Sequence, residues 1–106
     1  MKKTPEQLAD IKVIIKNERP SKKTICSGYR PAFKVKDDYL TTGIIKLINC
    51  DEINFSEQAV AKVWFITPEF YPNSLEGGQV IPFQEGSIVN GYATILKIYN
   101  KKLLKI

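Results

Sequence analysis

The chain contains no histidine, and that absence removes the usual general base, the commonest zinc ligand and the Ser-His-Asp and Cys-His arrangements. Few residues remain that could carry chemistry: Cys26 and Cys50, and the carboxylates of Glu69, Glu76 and Glu85. The cysteines lack the C-x-x-C spacing of a redox or zinc motif, and both fall on expected strands, so they are read as reduced, small apolar residues. The glutamates are scattered in the manner of surface side chains and mark no catalytic pair. Neither G-x-x-x-x-G-K-[ST] nor G-x-G-x-x-G occurs, so nothing supports binding of a nucleotide or dinucleotide. No enzyme activity, no metal and no cofactor are expected.

Binding chemistry is better represented. The net charge is +5 and the pI about 9.2. Both come mainly from lysines near the two ends: Lys2, Lys3, Lys22 and Lys23 early, and Lys97, Lys101, Lys102 and Lys105 late. Such a balance suits a polyanionic partner, although clusters this short also mark an ordinary solvated surface. An RNA surface would need cations interleaved with exposed aromatics, for which Tyr29, Arg30, Lys34, Lys36 and Tyr39 are the candidates.

These residues must be positioned by extended elements. With 106 residues, 43% of them hydrophobic, the chain fits one domain spanning 1–106. Thr4-Pro5-Glu6-Gln7 has the form of a capping box, which predicts a short helical turn within residues 1–8. The opening residues lack the apolar run of a signal peptide, and no stretch approaches a membrane span. The expected location is the cytoplasm, with no membrane partner.

From Ala9 to Asn17 apolar and polar residues alternate, with Ala9, Ile11, Val13 and Ile15 on one face and Asp10, Lys12 and Lys16 on the other. A loop around Pro20 leads to an extended segment at Tyr29–Lys36, and Asp37-Asp38 turns the chain. A third strand covers Tyr39–Ile48, with Ile45 and Leu47 inward, followed by a polar connection from Asn49 to Asn54. The fourth, Glu57–Thr67, places Ala59, Ala61, Val63 and Phe65 on one face. Its other face carries Val60, Trp64 and Ile66, more apolar than solvent requires, as if something covered it. A fifth strand at Gln79–Glu85 contains Pro82, which must sit at an edge or bulge. A tight turn at Glu85-Gly86-Ser87 leads into a last strand, Val89–Tyr99, with Tyr92, Leu96 and Ile98 on one side. Residues 100–106 form a basic tail expected to fray. Six extended segments with short connections predict an all-β antiparallel barrel or sandwich, and periodicity alone does not choose between them.

Several short motifs, in order, resemble a known family. Gly28-Tyr29-Arg30-Pro31-Ala32-Phe33 is similar to the G-Y-R-P-Q-F segment of the third, C-terminal domain of bacterial elongation factor Tu, and Thr42-Gly43-Ile44-Ile45-Lys46-Leu47 to its T-G-x-I-x-L strand. Ala59–Pro68 follows the family's long strand ending in proline. Gly78 to Gly86 resembles G-L-R-F-A-I-R-E-G, and Gly91, Ile95, Lys97 and Ile98 match the terminal V-G-x-G-V-V-x-K-V strand. The agreement spans about residues 9–99.

The resemblance implies a six-stranded antiparallel closed β-barrel without catalysis. In the family this domain packs on the GTPase domain, binds the T arm of aminoacyl-tRNA and receives regulatory partners. Of the tRNA-facing positions, Thr42 and Gly86 match the motif. The family's glutamine is Ala32 here, the lysine before the proline is Thr67, and the arginines of R-E-G-G-R are Gln84 and Ile88, which weakens phosphate contact. The family's P-G-D turn is Phe55-Ser56-Glu57. The Glu69–Gly77 loop is longer than the family's and offers Phe70 and Tyr71 at its tip. Arg30 is expected either to bridge strand ends or to contact a ligand, and Trp64 either to be covered by a loop or to anchor a partner. The expected function is therefore a non-enzymatic binding module. Its partner would be a protein, either a translation factor or a toxin bound in an immunity or decoy role, with tRNA or ribosomal RNA as the alternative.

Overall fold

A computed structural model describes residues 9–36, 39–66 and 74–104. The expected helical turn within residues 1–8, the Asp37-Asp38 turn, Thr67, Glu69, and Phe70 and Tyr71 of the long loop lie outside the described residues.

The described residues form eight strands: β1 (Ile11–Asn17), β2 (Ile25–Cys26), β3 (Ala32–Lys36), β4 (Tyr39–Leu47), β5 (Glu52–Ile53), β6 (Gln58–Phe65), β7 (Val80–Glu85) and β8 (Ile88–Ile98). Six of them close into an antiparallel barrel in the order β1-β6-β4-β3-β7-β8, with β8 returning to β1. Closure resolves the choice that alternation left open, because pairing β8 back onto β1 leaves no edge to protect.

Alternation then acts as a wall, one side filling the interior. Ile11, Val13, Ile15, Ile45, Ala61, Val63, Ile81, Ala93 and Ile95 all point inward, around a cluster of rings. Phe33 meets Phe65 edge-on at 5.6 Å and Phe83 at 5.7 Å. Two glycines make room for them. A Cβ on Gly43 would stand 2.6 Å from the Phe33 ring, and one on Gly91 would fall on the Lys16 carbonyl oxygen and the Phe83 ring. Both positions need a residue without a side chain because the wall and the rings approach so closely.

The ends of the barrel are plugged by elements that the alternation did not reveal. The expected polar connection Asn49–Asn54 contains β5, which pairs with the short β2 (Ile25↔Ile53) and buries both isoleucines at one end. A two-residue strand is too short to display a period, so its single inward residue reads as part of a loop. Cys50 accordingly lies off any strand, and Cys26 and Cys50 are exposed, free thiols.

At the other end residues 100–104, the described part of the expected tail, pack on the barrel. Lys101–Leu103 form one turn of 3-10 helix capped by the Asn100 side chain, Leu103 is fully buried, and the Leu103 carbonyl accepts from the amides of Ser74 and Leu75. Asp10, expected to face solvent, is buried as the clasp of this end. Its carboxylate accepts from the Phe65 amide at 2.7 Å and the Asn100 side chain at 2.9 Å, and its carbonyl from the Tyr99 amide at 2.8 Å. The carboxylate and carbonyl of Asp10 together satisfy donors at the ends of β6 and β8.

Pro82 sits in β7 opposite Tyr92 of β8. The ladder between β7 and β3 covers only Phe83 and Gln84, so it has stopped before the proline, and a register shift follows between Phe83 and Gln84. The turn after β7 has two central residues. Gly86 takes φ 58 and Ser87 does not share the positive φ, which is the pattern of a type II′ hairpin.

Candidate binding surfaces

Register decides which outward side chains become neighbours. Thr42 of β4 stands beside Ala32 of β3, Ala32 beside Gln84 of β7, and the Gln84 amide donates to the Gly86 carbonyl at 2.6 Å. Ile66 follows on the other side, its amide donating to the Thr42 carbonyl. Thr42 and Gly86 therefore share one wall with Ala32 and Gln84, two of the positions at which this chain departs from the resembling family. What they form is a neutral row of threonine, alanine and glutamine. Arg30, just before β3, is exposed and makes no hydrogen bond or ion pair among the described residues, so the strand-end bridge expected of it is absent. That bridge belongs to Arg19, which sequence reasoning overlooked.

The Arg19 guanidinium donates to the Thr24 carbonyl at 2.7 Å, lies 3.5 Å from the Glu85 carboxylate, and stacks over the Tyr29 ring at 5.2 Å. Tyr29 donates to Glu85 at 2.6 Å, accepts from the buried Asn90 at 2.8 Å, and packs edge-on against Phe83. Burial, reinforced by the hydrogen bond to Glu85, pushes the Tyr29 hydroxyl up to about 12. A depression of about 230 Å³ opens beside this group, bounded by Arg19, Pro20, Ser21, Lys23, Glu85, Ile88 and Asn90. The candidate RNA face thus loses its aromatics: Tyr29 is committed to this network, and Tyr39 packs against the core. Glu85 is likewise a structural partner in this network.

Trp64, half-buried on the outside of β6, stands opposite Ile44 of β4, and Val60 stands opposite Ile14 of β1, with Ile66 well exposed beyond them. The apolar stripe expected on this strand is therefore partly covered by its neighbours in the sheet.

Two other walls emerge from the register. The first runs along β7 and β8. Val80 is 55% exposed, Tyr92 41% and Leu96 46%, with Ile88 and Val89 exposed at the hairpin end and Pro82 directly opposite Tyr92. A register shift where β8 passes Lys12 and Val13 leaves Leu96 as an extra, outward residue. The second wall is cationic. Lys97 of β8 stands opposite Lys12 of β1, Lys12 opposite Lys62 of β6, and Lys62 opposite Lys46 of β4. The sequence signal for it is weak, since these lysines come from four separate strands and none adjoins another in the chain.

Ser56 stands where the resembling turn has glycine, and it takes φ 70, a left-handed conformation that a side chain disfavours. Among the described residues no group of three or more histidine, cysteine or carboxylate side chains could hold a metal ion, and no helix is long and apolar enough to cross a membrane. In comparison with known proteins, no family model and no curated protein matches the chain, so the likeness to the third domain of elongation factor Tu stands on the short motifs quoted above.

Proposed function

We propose that the barrel is a non-enzymatic binding module that docks a protein partner on the outer wall of β7 and β8. The observation that carries this reading is the run Val80, Tyr92 and Leu96, with Ile88 and Val89 at its end: large apolar side chains left to solvent on two adjacent strands, around the half-buried Pro82 and Thr94. Contiguous apolar surface rimmed by polar residues is what interfaces use, and a tyrosine flanked by aliphatic side chains suits an anchor. A second copy of the chain is a poor occupant, because each copy carries +5 and Lys97 borders the wall on β8. A partner with an apolar patch and an acidic rim fits better. The motif resemblance supports a partner from the translation machinery, or a toxin held by an imitation of the factor's third domain.

The test uses wild-type protein and Tyr92→Ala as baits in native cytosol. Any captured protein is then purified and titrated at two salt concentrations. The expected result is binding that Tyr92→Ala weakens at least tenfold and that changes little with salt, as desolvated apolar contacts do. Equal capture by both baits, or a wild-type dimer in light scattering that the variant dissociates, would overturn the reading. Competition by the isolated third domain of elongation factor Tu for the captured protein would support the translation or decoy role.

A further inference from the structure

We propose that the lysine row across β8, β1, β6 and β4 is a binding site for the phosphate backbone of a single-stranded nucleic acid. It uses different residues from the apolar wall and is independent of the protein-docking reading.

Lys97, Lys12, Lys62 and Lys46 are direct neighbours on four consecutive strands. Like charges directly opposite in a sheet oppose folding, and three such pairs in succession call for a compensating use. Across the six barrel strands the only acidic residue is Glu85, at the far end of β7 and already held by Tyr29 and Arg19. Among the described residues, Lys12, Lys62 and Lys97 make no ion pair. Two of the ammonium groups, those of Lys62 and Lys97, lie 5.5 Å from the ring of Tyr99, which thereby reaches across β1 between them.

Geometry favours a flexible strand. Neighbouring strands in a sheet lie about 4.8 Å apart, so the row covers about 14 Å. Phosphates of an extended single strand lie farther apart than the about 3.4 Å of axis per phosphate in one strand of a duplex, and the long lysine stems give the row the reach to meet about four of them. The wall of a small barrel is convex, so a stiff duplex would touch it at one point, whereas a single strand can follow the curve. Rings suited to stacking flank the cations, with Tyr99 over the row and Trp64 two residues beyond Lys62 on β6. Between Lys46 and Lys62 the surface dips into a depression of about 230 Å³, floored by Leu47 and Ile48, where a phosphate or sugar can seat.

Fluorescence anisotropy with a labelled twelve-nucleotide single strand, as RNA and as DNA, against the matching duplex and against vesicles rich in anionic lipid, tests the site. Either single strand should bind more tightly than the duplex, with log K falling against log salt at a slope of about −2.8 for four neutralised phosphates. The double variant Lys12→Gln/Lys62→Gln should lower that slope to about −1.4 and weaken binding at least tenfold at low salt, while Lys34→Gln on β3, off the row, leaves both almost unchanged. Glutamine relieves repulsion, so the variants keep their fold, which thermal melting verifies. An unchanged slope in the double variant, an equal loss in Lys34→Gln, tighter binding of the duplex, or binding to anionic vesicles alone would overturn the proposal.

Discussion

The two walls meet at β8 and share its backbone, yet they differ in chemistry. Toward β7 the barrel presents Val80, Pro82, Tyr92 and Leu96, and toward β1 it presents the lysine row beginning at Lys97. One interior supports both, since the inward residues of β8, Ala93 and Ile95, are fully buried whichever side their neighbours face. The difference teaches that a closed barrel separates stability from recognition. Inward positions hold the fold, and outward positions are free to carry apolar or cationic surface at modest cost.

Breaking the shared strand should abolish both walls at once. Gly91→Ala drives a methyl group into the Lys16 carbonyl and the Phe83 ring, and overpacking of this kind costs about 3 kcal/mol. Chemical denaturation should show that loss together with weakened binding at both surfaces. If only one surface were affected, the barrel would not be a common support.

A smaller effect is expected at the barrel end beside the hairpin. Tyr29→Phe removes the donor to Glu85 and leaves the buried Asn90 amide short of a partner, a loss of about 1–2 kcal/mol in denaturant melts near neutral pH. The folded-state value of Tyr29, about 12, lies above its ordinary 10.0. The neutral hydroxyl is therefore favoured by folding. Its contribution is complete below pH 10 and is lost as pH rises from 10 toward 12, where the unfolded chain ionises first. Thermal melts across that window should fall more steeply for the wild type than for Tyr29→Phe. Parallel curves would mean that the hydroxyl is not protected.

The smallest effect distinguishes the walls most directly. Lys62→Gln relieves repulsion from Lys12 and Lys46, so stability should rise by about 0.5 kcal/mol at low salt and the gain should fade as salt is added. Tyr92→Ala, on the apolar wall, should show no salt-dependent change. A destabilised Lys62→Gln would mean that the lysine side chains support the sheet through their stems, with no charge repulsion to relieve.

Much of the barrel was legible in the residues. Alternation expected over Ala9–Asn17, and the single inward face expected of Glu57–Thr67, marked the buried sides of the strands that form at Ile11–Asn17 and Gln58–Phe65, because a period of two leaves only one way to bury Val13, Ile15, Ala61 and Val63. Pro82, expected at an edge or bulge, pairs with Tyr92 in the β8 ladder, one residue before its shift and just past the end of the β3 ladder. The plugs at the ends were not legible. Ile53 and Leu103 are single apolar residues in polar stretches, and burial of a single residue leaves no period. Asp10 misled for a related reason. Its position in the alternation is outward, but β1 begins there, and the donors that draw its carboxylate in belong to Phe65 and Asn100.

Of the expected binding residues, Thr42 and Gly86 were brought to one wall, though a neutral one, and Trp64 was set against Ile44. Arg30 was left free while Arg19 took the bridging role, a change that no local pattern announces because Thr24 and Glu85 come from opposite parts of the chain.

The order of residues alone determined that this protein is all-β, which side of β1 and β6 faces inward, and that histidine-based chemistry is absent, since each of these follows from local composition and a period of two. Only the tertiary structure decided which outward residues become neighbours. Lys12 and Lys97 come from opposite ends of the chain, and they meet because β8 closes onto β1 and a one-residue shift at Leu96 brings Lys97 opposite Lys12. The register of the pair follows from the fit of the buried faces, since moving the whole strand by one residue would turn every inward side chain out. The lysine row and the apolar wall are thus consequences of core packing, read on the outside of the barrel.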